Sequence, residues 1–166
     1  LHKTEIGGVH LGIADEVDLR QAAKAIVADV RQGEPWLKVD RLLVQEMTTG
    51  VGEVLLSFRD DSEAGPMVML AAGGILAELH GDHRLRLAPV DLLEATAMIA
   101  EVKALRSLDG YRGKPLGDLD ALADAIVAIS HAGSHVVEAE INPLVVRREG
   151  EGVVAIDAVV RVRELP

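Results

Sequence analysis

The sequence predicts a mixed α/β (α+β) chain, and three observations carry that prediction. Leu19, Ala22, Ala23, Ile26, Val27 and Val30 recur at helical spacing. Residues 53–58 and 66–72 read as strands on either side of the acidic turn Asp60-Asp61-Ser62-Glu63. Near the end, residues 140–144 and 153–157 flank the polar turn Arg148-Glu149-Gly150-Glu151-Gly152, the pattern of a closing hairpin.

In chain order, the first helix has Asp15 as its N-cap and ends before Gly33 and Pro35. Residues 41–47 read as a strand, and Thr48-Thr49-Gly50-Val51-Gly52 follows as a hinge. After the paired strands, Arg84 and Arg86 lie two apart on one strand face. Leu92, Ala95, Met98, Ile99, Val102 and Leu105 define a second helix. Residues 108–115 are a loop by composition, and Leu119, Leu122, Ala123, Ile126 and Val127 define a third helix, capped by Asp118. The hinge is the one boundary the pattern offers, dividing the chain into residues 1–47 and 48–166.

Charge and composition remove several classes of function. Lys+Arg number 17 against Asp+Glu 27, a net charge of −10, and aromatics are 2%. Both the basic footprint and the stacking rings of a nucleic-acid binder are missing. There is no cysteine, which removes disulfides and thiolate metal sites and makes a cytoplasmic chain the simplest expectation. The longest apolar stretch, residues 66–79, is broken by Gly73-Gly74 and falls short of the roughly 18 residues of a membrane span. The first residue is Leu1, and the chain is expected to be a piece of something longer.

The hairpin carries the sharpest chemistry. Alternation along residues 136–142 places Val136, Glu138, Glu140 and Asn142 on one face and Val137, Ala139 and Ile141 on the other. With the turn centred between Glu149 and Gly150, Asn142 sits opposite Asp157, at a Cβ separation of about 4.5 to 5.5 Å. One hard cation could bridge the two. Mg²⁺ takes one or two protein carboxylates, keeps waters and favours phosphate oxygens, which suits a nucleotide site. Read alone, Asn142-Pro143 is more simply a turn or strand-end signal and Asp157 a sheet-edge polar residue.

Other constellations leave two readings each. His2-Lys3-Thr4-Glu5-Ile6-Gly7-Gly8 has the composition of a phosphate loop but the spacing of neither the P-loop nor the dinucleotide fingerprint, so on chemistry alone a plain hairpin turn fits better. Arg84 and Arg86 suit a phosphate or carboxylate clamp, or a solvated face paired with the acidic surplus. Glu53 could bond a ribose hydroxyl or cap a strand pair. His80, His83, His131 and His135 lack the spacing of a zinc set.

Taken in order, these segments resemble the ATP-grasp domain of the NDP-forming acyl-CoA synthetases, which include ADP-forming acetyl-CoA synthetase and, more distantly, the succinyl-CoA synthetase beta subunit. The carriers are His2 to Val9, Val44-Gln45-Glu46-Met47 with Glu53, Gly65-Pro66, Gly73-Gly74 with Glu78, and Asp82 through Arg86 to Ala88-Pro89. Gly110-Tyr111-Arg112-Gly113, Asp118-Leu119-Asp120, Glu140-Ile141-Asn142-Pro143-Leu144 and Asp157-Ala158 continue the series. Each is weak alone, and their ordered occurrence is specific.

The resemblance implies an ATP-grasp fold, mainly its C-terminal lobe with the metal-binding hairpin (48–166) and a partial first, nucleotide-binding lobe (1–47). It implies ATP or ADP held between the lobes, with Mg²⁺ on Asn142 and Asp157. Val44, Gln45, Glu46 and Met47 would lie beside the adenine, and Glu53 would face the nucleotide. Lys3 and Thr4, with Gly7 and Gly8, would serve the phosphates, His2 would take part in phosphoryl transfer, and Arg86 would be a phosphate ligand. The implied reaction interconverts acyl-CoA, ADP and phosphate with free acid, CoA and ATP through a phosphohistidine. The implied partners are CoA-binding and ligase domains, in the same polypeptide or on a partner subunit, with the acid or acyl-CoA met only indirectly. No nucleic acid or membrane is expected, and self-association into a homo-oligomer is compatible with it. A non-catalytic nucleotide-binding or assembly module is the alternative. Three positions depart from the family pattern: Val159 stands for an arginine, Ala71 for a glycine and Ala64 for an aromatic. The family's opening helix, strand and lysine are not among these residues, so an incomplete grasp is expected.

Overall fold

In the computed structural model, residues 3–73 and 81–164 are described. His2, Gly74, Glu78 and His80 therefore lie outside the described residues. The chain forms two compact units, residues 1–47 and 48–166.

The first unit contains one helix, α1 (Glu16–Gly33). Asp15 Oδ1 accepts the N–H groups of Val17 and Asp18 at 2.8 and 2.9 Å, satisfying two of the donors a helix start leaves open. Ala22 and Val30 are buried on its apolar face. The strand expected at residues 41–47 does not form: the segment joins no ladder, and Leu43 and Val44 are exposed. A strand exists only through a neighbour that accepts its N–H groups, and no described strand runs beside this one.

The second unit is a six-stranded antiparallel sheet with, among the described residues, two α-helices on one face. Its strands are β1 (Gly52–Asp61), β2 (Gly65–Ala72), β3 (His83–Leu87), β4 (Val136–Val146), β5 (Val153–Ala155) and β6 (Ala158–Val162), in the order β3-β2-β1-β4-β5, with β6 also on β4. The acidic turn forms as expected, with Asp61 Oδ1 accepting the N–H groups of Glu63 and Ala64, both at 2.9 Å. Those two bonds hold the Asp61 carboxyl below its ordinary range, Ala64 contributing most.

Alternation along β1 and β2 points Val54, Leu56, Phe58, Val68, Leu70 and Ala72 inward. Against them pack α2 (Leu92–Glu101) and α3 (Leu119–Ser130), through Ala95, Met98 and Ile99, and Leu122, Ala123 and Ile126. Each fully buried large side chain here contributes about 1.5–3 kcal/mol of transfer free energy. The second helix is shorter than its periodicity predicts. It stops at Glu101, Val102 turns extended, and a 3-10 segment (Lys103–Leu108) follows. Asp82 Oδ2 accepts the Ala104 N–H at 2.8 Å at the start of that segment, which offsets the break, and Val102, Leu105 and Leu108 are all buried by it.

On the other face, no helix among the described residues of this unit packs over the sheet. Register puts Leu85, Met69, Ser57, Glu140 and Val159 in one row across it, and Leu87, Met67, Arg59, Glu138 and Arg161 in the next.

Candidate functional site

The centre of the open face is built by β4 and the two short strands that follow it. β4 pairs with β6 along residues 136–141 and with β5 along residues 144–146, so both lie end to end on the same edge. Between them the ladder must pass Asn142-Pro143, and proline has no N–H to give. The gap is closed by Asn142 N–H to the Asp157 carbonyl and Ile156 N–H to the Pro143 carbonyl, both 3.0 Å. Asn142 therefore faces Asp157, in the register that the sequence predicts from the turn.

On its other edge β4 carries a bulge that the pattern does not reveal. Val54 pairs with Leu144 and Leu56 with Ile141, so Asn142 and Pro143 together oppose Leu55. A bulge of this kind bends the strand and re-aims a side chain. Glu138, Glu140 and Asn142 lie on the open side, as alternation predicts, while Ala139 and Ile141 pair with Phe58 and Leu56 on the covered side. Glu138 is engaged by Arg161 at 3.3 Å.

At the start of β1, Gly50, Val51, Gly52, Glu53 and Gly73 line a depression of about 330 Å³. Glu53 is exposed there and pairs with Val145 of β4, so its side chain shares the open face. Among the described residues no three His, Asp or Glu side chains converge on a metal position. An amide and a carboxylate opposed across one ladder fit Mg²⁺, which completes its shell with water and phosphate oxygens.

In the first unit, Val44, Gln45, Glu46 and Met47 all line one cavity of about 870 Å³, with the first turns of α1 and its residues Leu19, Ala22, Ala23 and Ile26 as the facing wall. Its lining is mostly apolar, the general character of a small-molecule pocket. The segment at the start is a turn. Gly8 donates to the Lys3 carbonyl at 2.7 Å and Gly7 to the Thr4 carbonyl at 3.2 Å, so these two N–H groups close the turn rather than face a phosphate. Gly7 is required by its φ of +69° and by Asp29, whose Cβ would lie 2.7 Å from an added Cβ. Lys3 and Thr4 are exposed.

Arg86 is not brought to the Asn142–Asp157 pair. It is paired in register with buried Val68, which puts it on the helix-covered face, and its guanidinium donates to Glu101 Oε1 of α2 at 2.7 Å. Arg84 meets the same carboxylate at 3.2 Å. The Arg86 hydrogen bond is the main reason the Glu101 carboxyl sits below its ordinary range. The acidic-surplus reading of the two arginines therefore describes their contacts. Asp118, read from sequence as a helix cap, does more than cap: it accepts from Ala121 N–H at 3.0 Å and from Gly152 N–H at 2.8 Å.

The chain is similar to known proteins. Over 157 residues, 93% of this chain, it is 36% identical to an ADP-forming acetate–CoA ligase I of Archaeoglobus fulgidus, of whose length it spans 23%. It is 30% identical over 162 residues to the beta subunit of ADP-forming acetate–CoA ligase II of Pyrococcus furiosus, covering 95% of this chain and 69% of that subunit. Among solved structures, one of acetyl-coenzyme A synthetase 1 of Ca. Korarchaeum cryptofilum superposes with a TM-score of 0.81 at 30% identity, over 98% of this chain and 71% of that one. That structure is in complex with coenzyme A and Mg-AMPPCP, its phosphohistidine segment pointing towards the nucleotide binding site. The ATP-grasp domain model matches residues 1–162, and the chain belongs to the ATP-grasp family.

Proposed function

We propose that this chain is the ATP-grasp portion of an NDP-forming acyl-CoA synthetase, acting with CoA-binding and ligase domains in the same polypeptide or on a partner subunit. The observation that carries the proposal is Asn142 facing Asp157 across the closing hairpin, in a chain 36% identical to an ADP-forming acetate–CoA ligase. The overall reaction is reversible: acyl-CoA, ADP and phosphate give the free acid, CoA and ATP. The relatives' activities favour this reading over a non-catalytic module.

In this reading residues 1–47 are a partial first lobe and residues 48–166 the C-terminal lobe. Asn142 and Asp157 hold Mg²⁺, which would supply charge neutralisation on the phosphate oxygens. Residues 44–47 receive the base in the cavity they line, and Glu53 faces the nucleotide from the start of β1. Lys3 and Thr4 are exposed, and in this reading their side chains serve the phosphates. His2 is proposed to assist phosphoryl transfer, with the main histidine carrier on another domain. Catalysis is then largely positioning and electrostatics, as phosphoryl transfer requires.

Calorimetric titration of the chain with ADP, with and without Mg²⁺, tests the site. Mg²⁺-dependent binding that falls at least about tenfold in Asp157→Ala, or about 1.4 kcal/mol, is the expected result. Binding indifferent to both Mg²⁺ and the substitution overturns the metal assignment.

A further inference from the structure

β6 forms one edge of the sheet, and its residues are exposed on both faces. Val159 is 66% exposed, Val160 55% and Val162 67%. Two bonds to β4 fix which way its backbone groups point: the Asp157 carbonyl accepts from the Asn142 N–H, and the Arg163 N–H donates to the His135 carbonyl. By alternation, residues 157, 159, 161 and 163 turn their N–H and C=O groups toward β4, and Ala158, Val160 and Val162 turn theirs away from it. No described strand lies on that side.

A row of unpaired N–H and C=O groups is a template for another strand, and natural edges are guarded by charge, proline or a bulge that twists them away. The opposite edge has such a guard. An antiparallel copy of β3 centred on Leu85 would set Arg84 against the copy's Arg86, two like charges. In β6 the one charged residue is Arg161, and Glu138 of β4 engages it at 3.3 Å.

The sequence of β6 matches its own reverse. About a two-fold axis at Val160, perpendicular to the sheet, Val160 falls opposite Val160 of a second copy, and Ala158 opposite the copy's Val162. These are the residues whose backbone groups point outward, so each pair exchanges its N–H and C=O bonds while apolar side chains meet. Val159 falls opposite the copy's Arg161. At the ends Asp157 falls opposite the copy's Arg163, which Asp60 also holds in its own chain, so the opposed charges differ in sign. The row of Glu140 and Val159 runs on into the copy's Arg161 and Glu138, which keeps acidic and basic groups alternating across the axis.

We propose that β6 is a self-docking edge: two copies of the chain join their sheets through antiparallel β6 strands centred on Val160. Five residues a side make a small contact, so the dimer belongs to the weak, concentration-dependent class.

Sedimentation velocity of the chain from about 1 to 500 µM tests the association, with a dissociation constant of about 1–100 µM expected. Val160→Lys sets two ammonium groups face to face at the axis and is expected to weaken the dimer at least about tenfold. Because the chain has no cysteine, a single introduced one reads the register. In Val160→Cys the two Cα atoms lie about 5.5 Å apart, inside the roughly 4.4–6.8 Å that a disulfide spans, and mild oxidation is expected to give a covalent dimer. In Val159→Cys they lie about 8 Å apart, and the yield is expected to be at least about fivefold lower. A chain that stays monomeric at the highest concentration overturns the proposal. So does a dimer that Val160→Lys leaves unweakened, since its interface is then elsewhere. Equal cross-linking at positions 159 and 160 overturns the register centred on Val160, and the proposal with it.

Discussion

Gly73, the residue after β2, lies directly on the backbone of Glu53: its N–H donates to the Glu53 carbonyl oxygen at 2.7 Å, and an added Cβ would come within 2.7 Å of the Glu53 carbonyl carbon. The obstacle is backbone, not a side chain that can swing aside. Gly73→Ala is therefore expected to push β2 from β1 at the floor of the depression beside Glu53. A loss of about 1–3 kcal/mol in urea-denaturation stability is the expected outcome. An unchanged midpoint would show that the two backbones part without cost.

Phe58 tests where the core lies. It is fully buried, and an added Cβ on Gly133 would stand 3.1 Å from its Cζ, so little space surrounds the ring. Phe58→Ala is expected to cost about 3–5 kcal/mol by urea denaturation. Leu87→Ala, on the open face at 65% exposure, should stay within about 0.5 kcal/mol. Equal effects at the two positions would contradict the assignment of covered and open faces.

Asp118 predicts a pH dependence with a definite sign. The Ala121 N–H first, then the Gly152 N–H, stabilise its charged form and hold its carboxyl below the ordinary 3.8. A folded-state value below the unfolded one means that the unfolded chain binds the proton more readily, so the contribution is complete above the ordinary value. It is lost as pH falls through the lower folded-state value. Stability of the parent chain minus that of Asp118→Asn, followed by thermal melts, should be flat from neutral pH down to the ordinary carboxylate range and shrink below it. A difference that shrinks instead on going up from neutral pH would place the responsible group elsewhere.

The hairpin shows how far residue patterns reach. Its alternation and polar turn are local, and from them the opposition of Asn142 and Asp157 follows without reference to any other strand. The bulge at Asn142-Pro143 does not, because it exists only in the pairing of β4 with β1. β6 escapes the pattern for a related reason: all five of its residues are exposed, so no burial impresses an alternation on them, and only β4 makes them a strand. The converse failure is residues 41–47, whose composition suits a strand and which pair with none. Arg86 illustrates the same limit on a face. That Arg84 and Arg86 share one is legible from their spacing, whereas its being the face beneath α2 depends on Glu101, 15 residues away.

What the sequence determined by itself is therefore the set of local elements: α1 with its Asp15 cap, the β1–β2 hairpin with its Asp61 turn, the apolar faces of α2 and α3, and the register of the closing hairpin. Each rests on contacts between residues a few positions apart or across one tight turn, where periodicity and turn chemistry act directly. Tertiary structure alone decided the strand order, the bulge at Asn142-Pro143, the face on which Arg86 lies, and the second bond of Asp118 to Gly152. Those depend on backbone groups and charges brought together from distant parts of the chain, whose pairing is selected by burial and hydrogen-bond satisfaction in the folded unit and leaves no periodic trace in either partner.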